Sequence, residues 1–281
     1  MQIGNAWRTD DRTPIEFMDS MASLISGRAK EKILMRLVVD THTHTIASGH
    51  AYSTIQEMAK GAADNGIEMM AVTDHGPELP GAPGFLYFHN LKILPDKIQG
   101  VRILKGVEAN IMDFDGSIDL PERFLGKLDF CMAGYHEPCL KPGKVHDHTE
   151  GMIKALSNPY IDAVSHPGNP KYQVDIEAVV IAAKEHGKLI EINNHSFAVR
   201  TGSEENCRLF AMLCKEHGVR IVTGSDAHFS DSVGEFGKVL RLLEEVHFPE
   251  ELVLNTSVRK VDEYIRERME RINRITDRIL F

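Results

Sequence analysis

The sequence lacks the features that mark membrane, secreted and disulfide-rich proteins. Its apolar runs all fall short of the roughly 20 residues that a membrane-spanning helix needs. The N-terminus has no basic stretch followed by an apolar core, so no secretory signal is predicted. The four cysteines never show C-x-x-C spacing, and we expect them to be buried thiols in a reducing cytosol. These absences predict a cytoplasmic protein that has no membrane partner.

Dense clusters of lysine and arginine are also missing. The 281 residues carry a formal net charge of −9, with a charged fraction of 26% and an apolar fraction of 42%, both ordinary for a globular protein. The acidic balance argues against nucleic acid as a partner, although metal ions at a site would add local positive charge. Length alone is compatible with two small domains or one α/β barrel, and it leaves open whether the chain forms a homo-oligomer.

The chain divides into a short N-terminal part and a long domain. Residues 1–34 are polar with weak helical periodicity, which we interpret as an N-terminal extension to a domain at 35–281. In that domain the predicted strands are 37–40, 69–73, 102–107, 130–133, 163–165, 189–192 and 220–223. The predicted helices include 54–65, 145–157, 175–186 and 203–217, several of them stopped by a glycine (Gly66, Gly187, Gly218), and a charged outer helix at 258–280.

This alternation of strands and helices predicts an α/β fold. Near-continuous apolar strands indicate a parallel sheet that is covered by helices, and seven strand–helix units favour a barrel. Barrels of this kind place their active sites at the face where the strands end. The stretch 76–95, rich in glycine and proline, is predicted to be a long loop at that face.

Side chains that bind metals follow nearly every predicted strand. After the first strand, His42 and His44 point the same way because side chains alternate along a strand. An isolated H-x-H pair fits core histidines as well as a metal site, but later strand ends repeat the pattern. The nine candidate ligands are His42, His44, His50, His75, Glu108, His136, His166, Asp226 and His228. One tetrahedral zinc takes about four ligands, so a bridging Glu108 and two or three ions are expected.

Together these motifs resemble the PHP family, named for polymerase and histidinol phosphatase. The matching motifs are His42-x-His44, Thr73-Asp74-His75, Gly106-Val107-Glu108-Ala109-Asn110, Ser165-His166-Pro167 and Gly224-Ser225-Asp226-x-His228, with His50 and His136. The match runs from about 38 to 257 and is most similar to the stand-alone phosphatase branch. It implies a distorted (β/α)7 TIM-like barrel and a trinuclear zinc centre, and Mn2+ or Fe2+ also suit these ligands.

The resemblance also implies how the ligands divide among three ions. One ion would be bound by His42, His44, Glu108 and Asp226, a second by Glu108, His136 and His166, and a third by His50, His75 and His228. Glu108 and Asp226 would act in catalysis through the metals. We considered Asp40 and Asp74 as acceptors for ligand imidazoles, although capping or turn roles fit them equally well.

Two further residues are candidates for substrate contact. Arg200 follows the sixth predicted strand, and a guanidinium matches the oxygens of a phosphate, although a surface arginine fits the same position. His195 lies at the same face and could contact substrate or protonate a leaving group.

The sequence therefore predicts a metal-dependent hydrolase of a small phosphomonoester, in which a hydroxide bridging two metals attacks phosphorus. The alternative enzyme is a phosphodiesterase or exonuclease of the same family. Histidinol phosphate is a further substrate to consider, although no residue identifies it. A non-enzymatic alternative is a metal-storage or metal-sensing module, which would close its coordination shells.

Overall fold

The computed structural model describes residues 35–279. The predicted N-terminal extension, residues 1–34, lies outside this range. Within it, no helix is both long enough and apolar enough to cross a membrane. Cys131, Cys207 and Cys214 are buried, as expected, whereas Cys139 is partly exposed, and all four are free thiols.

The strands form one sheet in the order β1-β2-β4-β5-β6-β7-β8, and neighbours along this path are parallel. They are β1 (Val39–Thr43), β2 (Met69–Val72), β3 (Lys97–Ile98), β4 (Val101–Asn110), β5 (Phe130–Gly134), β6 (Ala163–Val164), β7 (Leu189–Asn193) and β8 (Ile221–Gly224). All seven predicted strands are confirmed. The additional β3 pairs antiparallel with β4 and is too short to produce a periodic pattern in the sequence.

Helices connect the strands on the outside of the sheet. They are α1 (Ile55–Asp64), α2 (Phe85–Asn90), α3 (Glu122–Leu125), α4 (Val145–Ser157), α5 (Ile176–His186), α6 (Ser196–Val199), α7 (Ser203–His217), α8 (Gly237–Glu245) and α9 (Val258–Ile279). Local chemistry sets their ends: Thr54 and Glu57 form a capping box at the start of α1. Gly187 and Gly218 end α5 and α7 with φ of 63° and 69°, in the left-handed region that favours glycine.

The prediction of a loop throughout 76–95 is wrong in part. Residues Phe85–Asn90 form α2, and a 3-10 turn follows at Leu91–Ile93. Burial of Phe88 and Leu91 against the main core accounts for this helix, because packing stabilises a short helix that local propensity alone would not.

The sheet closes on itself where β1 meets the end of β8. The backbone N–H of Asp226 donates to the carbonyl of His42 at 2.9 Å, and the N–H of His44 donates to the carbonyl of Ala227 at the same distance. Asn255 spans the seam below, because its side chain donates to the carbonyls of Val39 and Thr223. The result is a (β/α)7 TIM-like barrel whose strand ends all meet at one face.

The C-terminal helix covers the opposite end of the barrel. Tyr264 and Val261 of α9 belong to one apolar cluster with Met69 and Leu189, the first residues of two strands. The prediction of a charged outer helix therefore holds for its solvent side, while Tyr264 and Arg268 are fully buried. In barrels of this kind the face where the strands end carries the active site, and the opposite face contributes to stability.

A buried ion pair attaches α9 to the barrel. The Arg268 Nε atom lies 2.7 Å from Asp162 Oδ2, and the Arg271 guanidinium lies 2.8 Å from Asp162 Oδ1. Asp162 and Arg268 have no exposed side-chain surface. Removal of one partner would leave a charge without full compensation in the protein interior.

We expect Arg268→Ala to lower the free energy of unfolding by about 3 kcal/mol or more, because Asp162 loses a buried partner. Urea unfolding measures the change. The control is Arg259→Ala, which removes an exposed ion pair to Glu263 on the same helix and should alter stability little. Equal effects of the two substitutions would contradict the assignment.

Candidate metal centre

The centre begins at the end of β1, where two buried imidazoles come together. His42 and His44 have no exposed surface, and their Nε2 atoms lie 3.0 Å apart. The pairing of β1 with β2 is irregular between Asp40 and Thr43, the segment that carries His42. Both rings face the Glu108 carboxylate, at the face of the barrel where the strands end.

Glu108, near the end of β4, lies among five imidazoles and is only 1% exposed. Its Oε2 atom is 3.2 Å from His42 Nε2 and 3.0 Å from His75 Nδ1. Its Oε1 atom is 2.7 Å from His166 Nε2 and 3.3 Å from His136 Nε2. His44 Nε2 lies 3.5 Å from the same Oε2 atom. Each carboxylate oxygen therefore faces a different set of rings, which is the arrangement that a bridging ligand requires.

The loop after β8 supplies the remaining candidates. Asp226 Oδ1 lies 3.2 Å from His44 Nε2 and 3.5 Å from His42 Nε2. His228 Nε2 lies 3.0 Å from His50 Nε2. All nine residues named from the sequence thus converge at one face, although they come from widely separated parts of the chain.

The donor atoms fit a group of cations. His75 Nδ1, Glu108 Oε1 and His136 Nε2 are buried, and although each lies close to another atom of the cluster, none makes a hydrogen bond of acceptable geometry with a described residue. Buried polar atoms of this kind are rare unless an ion or water completes them. Three sets of side chains have ligand atoms close enough to share an ion, namely His44/His75/His228, His42/His44/Glu108 and His75/Glu108/His136. Because His75 belongs to two sets, the division of ligands among individual ions stays a prediction.

Five of the rings have an oxygen behind them that fixes their orientation. The pairs are His42 Nδ1 with Glu191 Oε1 at 2.7 Å, His44 Nδ1 with Ser48 Oγ at 3.1 Å, His136 Nδ1 with Asn110 Oδ1 at 2.7 Å, His50 Nδ1 with the Ser48 carbonyl at 3.0 Å and His228 Nδ1 with the Asp226 carbonyl at 2.8 Å. A proton on Nδ1 leaves the Nε2 lone pair free for a metal.

Asp40 and Asp74 fit two roles equally well in the sequence, as acceptors for ligand rings or as capping and turn residues. Their hydrogen bonds go to backbone N–H groups and hydroxyls and not to a ligand ring. The carboxylate of Asp40 accepts backbone N–H groups of Ser225 at 3.1 Å and Gly234 at 2.9 Å, and it contacts no ligand ring. Asp74 acts indirectly, because it accepts a hydrogen bond from Ser48 Oγ at 2.6 Å, which in turn faces His44. The sequence did not identify Glu191 as the acceptor for His42. The one feature that could have indicated it is a single charged residue among apolar neighbours in the predicted strand 189–192.

The surroundings of Glu108, Asp226 and His44 shift their pKa values toward the protonation states that bind metals. Burial opposes ionisation of Glu108, yet the surrounding imidazoles hold the pKa of its carboxyl well below the usual range. Burial similarly opposes ionisation of Asp226, but the imidazoles of β1 and the Arg200 guanidinium lower its pKa well below the ordinary value. Burial lowers the pKa of His44 well below its ordinary value. Ionised carboxylates and neutral imidazoles are the forms that bind metals.

Two of the candidate ligands have unusual backbone conformations. His166 has φ of 32° and Asp226 has φ of 55°, both in the left-handed region that non-glycine residues rarely adopt. Hydrogen bonds hold each one: the His166 N–H donates to Glu191 Oε2 at 2.6 Å, and the Asp226 N–H donates to the His42 carbonyl. Strain of this kind concentrates at functional sites.

The ligand cluster opens into a cavity of about 740 Å³. Arg200 and His195, both predicted to contact substrate, line it. An Arg200 guanidinium nitrogen lies 3.0 Å from Ser196 Oγ and 3.5 Å from Asp226 Oδ2, so its charge is directed at the cluster. The His195 ring lies 6.2 Å from that of His228, and burial lowers the pKa of His195.

Residues 40–276 match the model of the PHP domain. The chain belongs to the PHP family. A probable phosphatase of Acetivibrio thermocellus is 61% identical over 240 residues, which cover 85% of this chain and 100% of the relative. A probable phosphatase of Caldanaerobacter subterraneus is 56% identical and covers 86% of this chain and 96% of the relative. These names support a phosphatase hydrolase.

A solved structure agrees with the barrel. The histidinol phosphate phosphatase of Lactococcus lactis, determined with zinc, L-histidinol and phosphate, superposes with a TM-score of 0.52 at 16% identity. The alignment covers 75% of this chain and 94% of the other. At that identity the likeness is one of fold.

We expect Glu108→Gln to weaken binding of zinc to the chain by about 10- to 100-fold or more, because the amide cannot serve as a bridging anion. Elemental analysis after dialysis against graded zinc measures the bound ions. Glu68→Gln, an exposed carboxylate at the other end of the barrel, is the control. Equal zinc content in wild type and Glu108→Gln would contradict the bridging role.

Proposed function

We propose that this protein is a metal-dependent phosphatase that hydrolyses a small phosphomonoester. The observation that carries the proposal is the placement of Glu108, a buried carboxylate with imidazoles on both oxygens, at the base of a cavity that the Arg200 guanidinium lines. The names of the relatives support the same activity.

We propose Zn2+ as the cofactor, with three ions, and Mn2+ or Fe2+ as alternatives that the same donors suit. His42, His44, Glu108 and Asp226 would hold the first ion, Glu108, His136 and His166 the second, and His50, His75 and His228 the third. Metal ions at such a site activate water at neutral pH and offset the charge of a phosphate. The zinc in the Lactococcus lactis phosphatase, which has the same fold, supports this choice.

The residues of the chain itself bind and orient the phosphate. Arg200 would donate hydrogen bonds to phosphate oxygens at the inner end of the cavity, beside Asp226. Ser196 accepts a hydrogen bond from Arg200 at 3.0 Å and thereby directs the guanidinium. His195, close to His228, would give a proton to the departing alcohol. Only the imidazolium form of His195 can do so, and because burial lowers its pKa, that form gives up its proton readily.

The outer cavity favours a small substrate over a nucleic acid strand. Its cationic side chains besides the histidines are Arg200 and Lys171, and Lys171 pairs with Glu137 at 2.6 Å. A strand of phosphates needs a row of free cations, which these lining residues do not provide. Phosphodiester hydrolysis remains the alternative within the family.

A comparison of p-nitrophenyl phosphate with bis-p-nitrophenyl phosphate tests the proposed function. We expect the zinc-loaded full chain to hydrolyse the monoester with a kcat/KM more than about tenfold higher, equivalent to about 1.4 kcal/mol of transition-state binding. Faster hydrolysis of the diester would favour the phosphodiesterase. Zinc-loaded protein that hydrolyses neither ester would favour a storage or sensing module.

Arg200→Met tests the phosphate contact. Loss of a charge-assisted hydrogen bond should lower kcat/KM by about 10- to 100-fold, since such bonds contribute about 1.5–3 kcal/mol. Inhibition by inorganic phosphate should weaken in parallel. Arg200→Lys keeps the positive charge and should retain part of the catalytic activity and part of the inhibition by phosphate. The matched control is Arg208→Met, on the outside of α7. If phosphate inhibits Arg200→Met as strongly as wild type, Arg200 does not bind phosphate.

A further inference from the structure

Glu191 on β7 is a carboxylate that is neither a candidate ligand nor part of the cavity wall. It is 1% exposed and lies in a strand whose five residues are all buried. Buried carboxylates are rare without compensating partners, because desolvation of the charge is costly. The partners of Glu191 therefore indicate why a charge occupies this position.

Those partners are groups of three different candidate ligands. Glu191 Oε1 faces His42 Nδ1 at 2.7 Å, and Oε2 accepts the backbone N–H of His166 at 2.6 Å. Asn193 Nδ2 extends the network, because it lies 3.3 Å from Glu191 Oε2 and 3.3 Å from Asp226 Oδ2. One carboxylate is thus in contact with the ring of one ligand, the backbone of a second and, through Asn193, the carboxylate of a third.

Gly224, at the end of β8, makes room for this contact. A Cβ atom at that position would lie 2.4 Å from Glu191 Oε1 and 2.3 Å from the Cβ atom of His42. Both distances are far below van der Waals contact, so a side chain there would push the carboxylate and the imidazole apart. Glycine at 224 is therefore required by the close approach of Glu191 and His42.

We propose that Glu191 is a positioning residue that fixes the tautomer of His42 and, through His166 and Asn193, couples ligands that belong to different metal ions. The inference rests on the proposed function for the presence of metals, but its geometric part concerns Glu191 and His42 alone. An acceptor-only carboxylate at Nδ1 requires the proton on that nitrogen, which leaves Nε2 free to face the cluster. The same carboxylate stabilises His166 in its left-handed conformation.

Glutamine at this position would separate the two roles. Its amide oxygen can still accept the His166 N–H, and its NH2 group then faces His42 Nδ1. The ring must place its proton on Nε2 to accept that hydrogen bond, and a protonated Nε2 cannot bind a metal. Aspartate keeps two acceptor oxygens but is one methylene shorter, so it retains the charge and reaches the two partners less well.

The experiment measures which nitrogen of the His42 imidazole carries the proton, from nitrogen-15 chemical shifts in the metal-free full chain at alkaline pH. Alkaline pH is needed because, although burial opposes the charged ring, the carboxylates of Glu191, Glu108 and Asp226 raise the pKa of His42, and only the neutral ring has a tautomer. We expect wild type to carry the proton on Nδ1, Glu191→Gln on Nε2 and Glu191→Asp on Nδ1. Zinc binding, followed by elemental analysis, should weaken by about 10- to 100-fold in Glu191→Gln and less in Glu191→Asp.

The control is Asp40→Asn, a buried carboxylate that accepts the backbone N–H groups of His42, Ser225 and Gly234 and a hydrogen bond from the Ser225 side chain. It should leave the tautomer unchanged, because these partners do not include the His42 ring.

The outcomes separate this inference from the proposed function. A His42 ring that keeps its proton on Nδ1 in Glu191→Gln, with zinc content equal to wild type, would overturn the positioning role. A switch in tautomer in a protein whose wild type binds no zinc would support the positioning role and contradict the metal-dependent function. If Glu191→Gln does not fold, Glu191→Asp decides: wild-type zinc affinity together with a proton on Nε2 would overturn the inference.

Discussion

The burial of the Glu108 carboxylate among five imidazoles is the constraint on which the rest of the centre depends. A carboxylate that is removed from water needs nearby positive charge or strong hydrogen-bond donors, and His42, His75, His136 and His166 approach it from four different strand ends. These rings can converge only if the strands end at one level around a closed barrel. The seam between β1 and β8 is therefore as important to the centre as the ligands themselves.

The two ends of the barrel contribute to stability in opposite ways: one contains strained backbone and unpaired polar atoms, and the other contains packed, buried side chains. At the end that holds the metal centre, His166 and Asp226 adopt left-handed conformations, and buried atoms of His75 and His136 have no protein hydrogen bond within the described residues. At the opposite end, α9 buries Tyr264 and the ion pair of Arg268 with Asp162. Packing at one end thus offsets the strain and unsatisfied polar groups that the centre requires at the other.

The acceptors behind the rings link the centre to the rest of the fold. Ser48, Asn110 and Glu191 come from a loop and two strands, and each holds one ring by its Nδ1 atom. Ser48 is itself held by Asp74, which also accepts the hydroxyl of Tyr87 from α2. The segment that the sequence presents as a loop is thereby connected to His44 through three side chains.

Much of the fold and of the ligand set could be predicted from the sequence, for a simple physical reason. The apolar runs of β2, β5 and β8 stand out because both of their faces are buried, and metal-binding side chains at strand ends follow from the period of two. The helix α2 and the two-residue strand β3 could not be found, because their stability comes from contacts with distant residues and not from their own pattern.

The sequence by itself determined the order of the seven parallel strands, the family, and which nine side chains could bind metals. Only the tertiary structure decided which acceptor supports which ring: Asp40, adjacent in sequence to the first ligands, accepts backbone N–H groups, while Glu191, far along the chain, reaches His42. Hydrogen bonds between strands depend on how the barrel closes and on the space left by Gly224, and neither is written in local sequence.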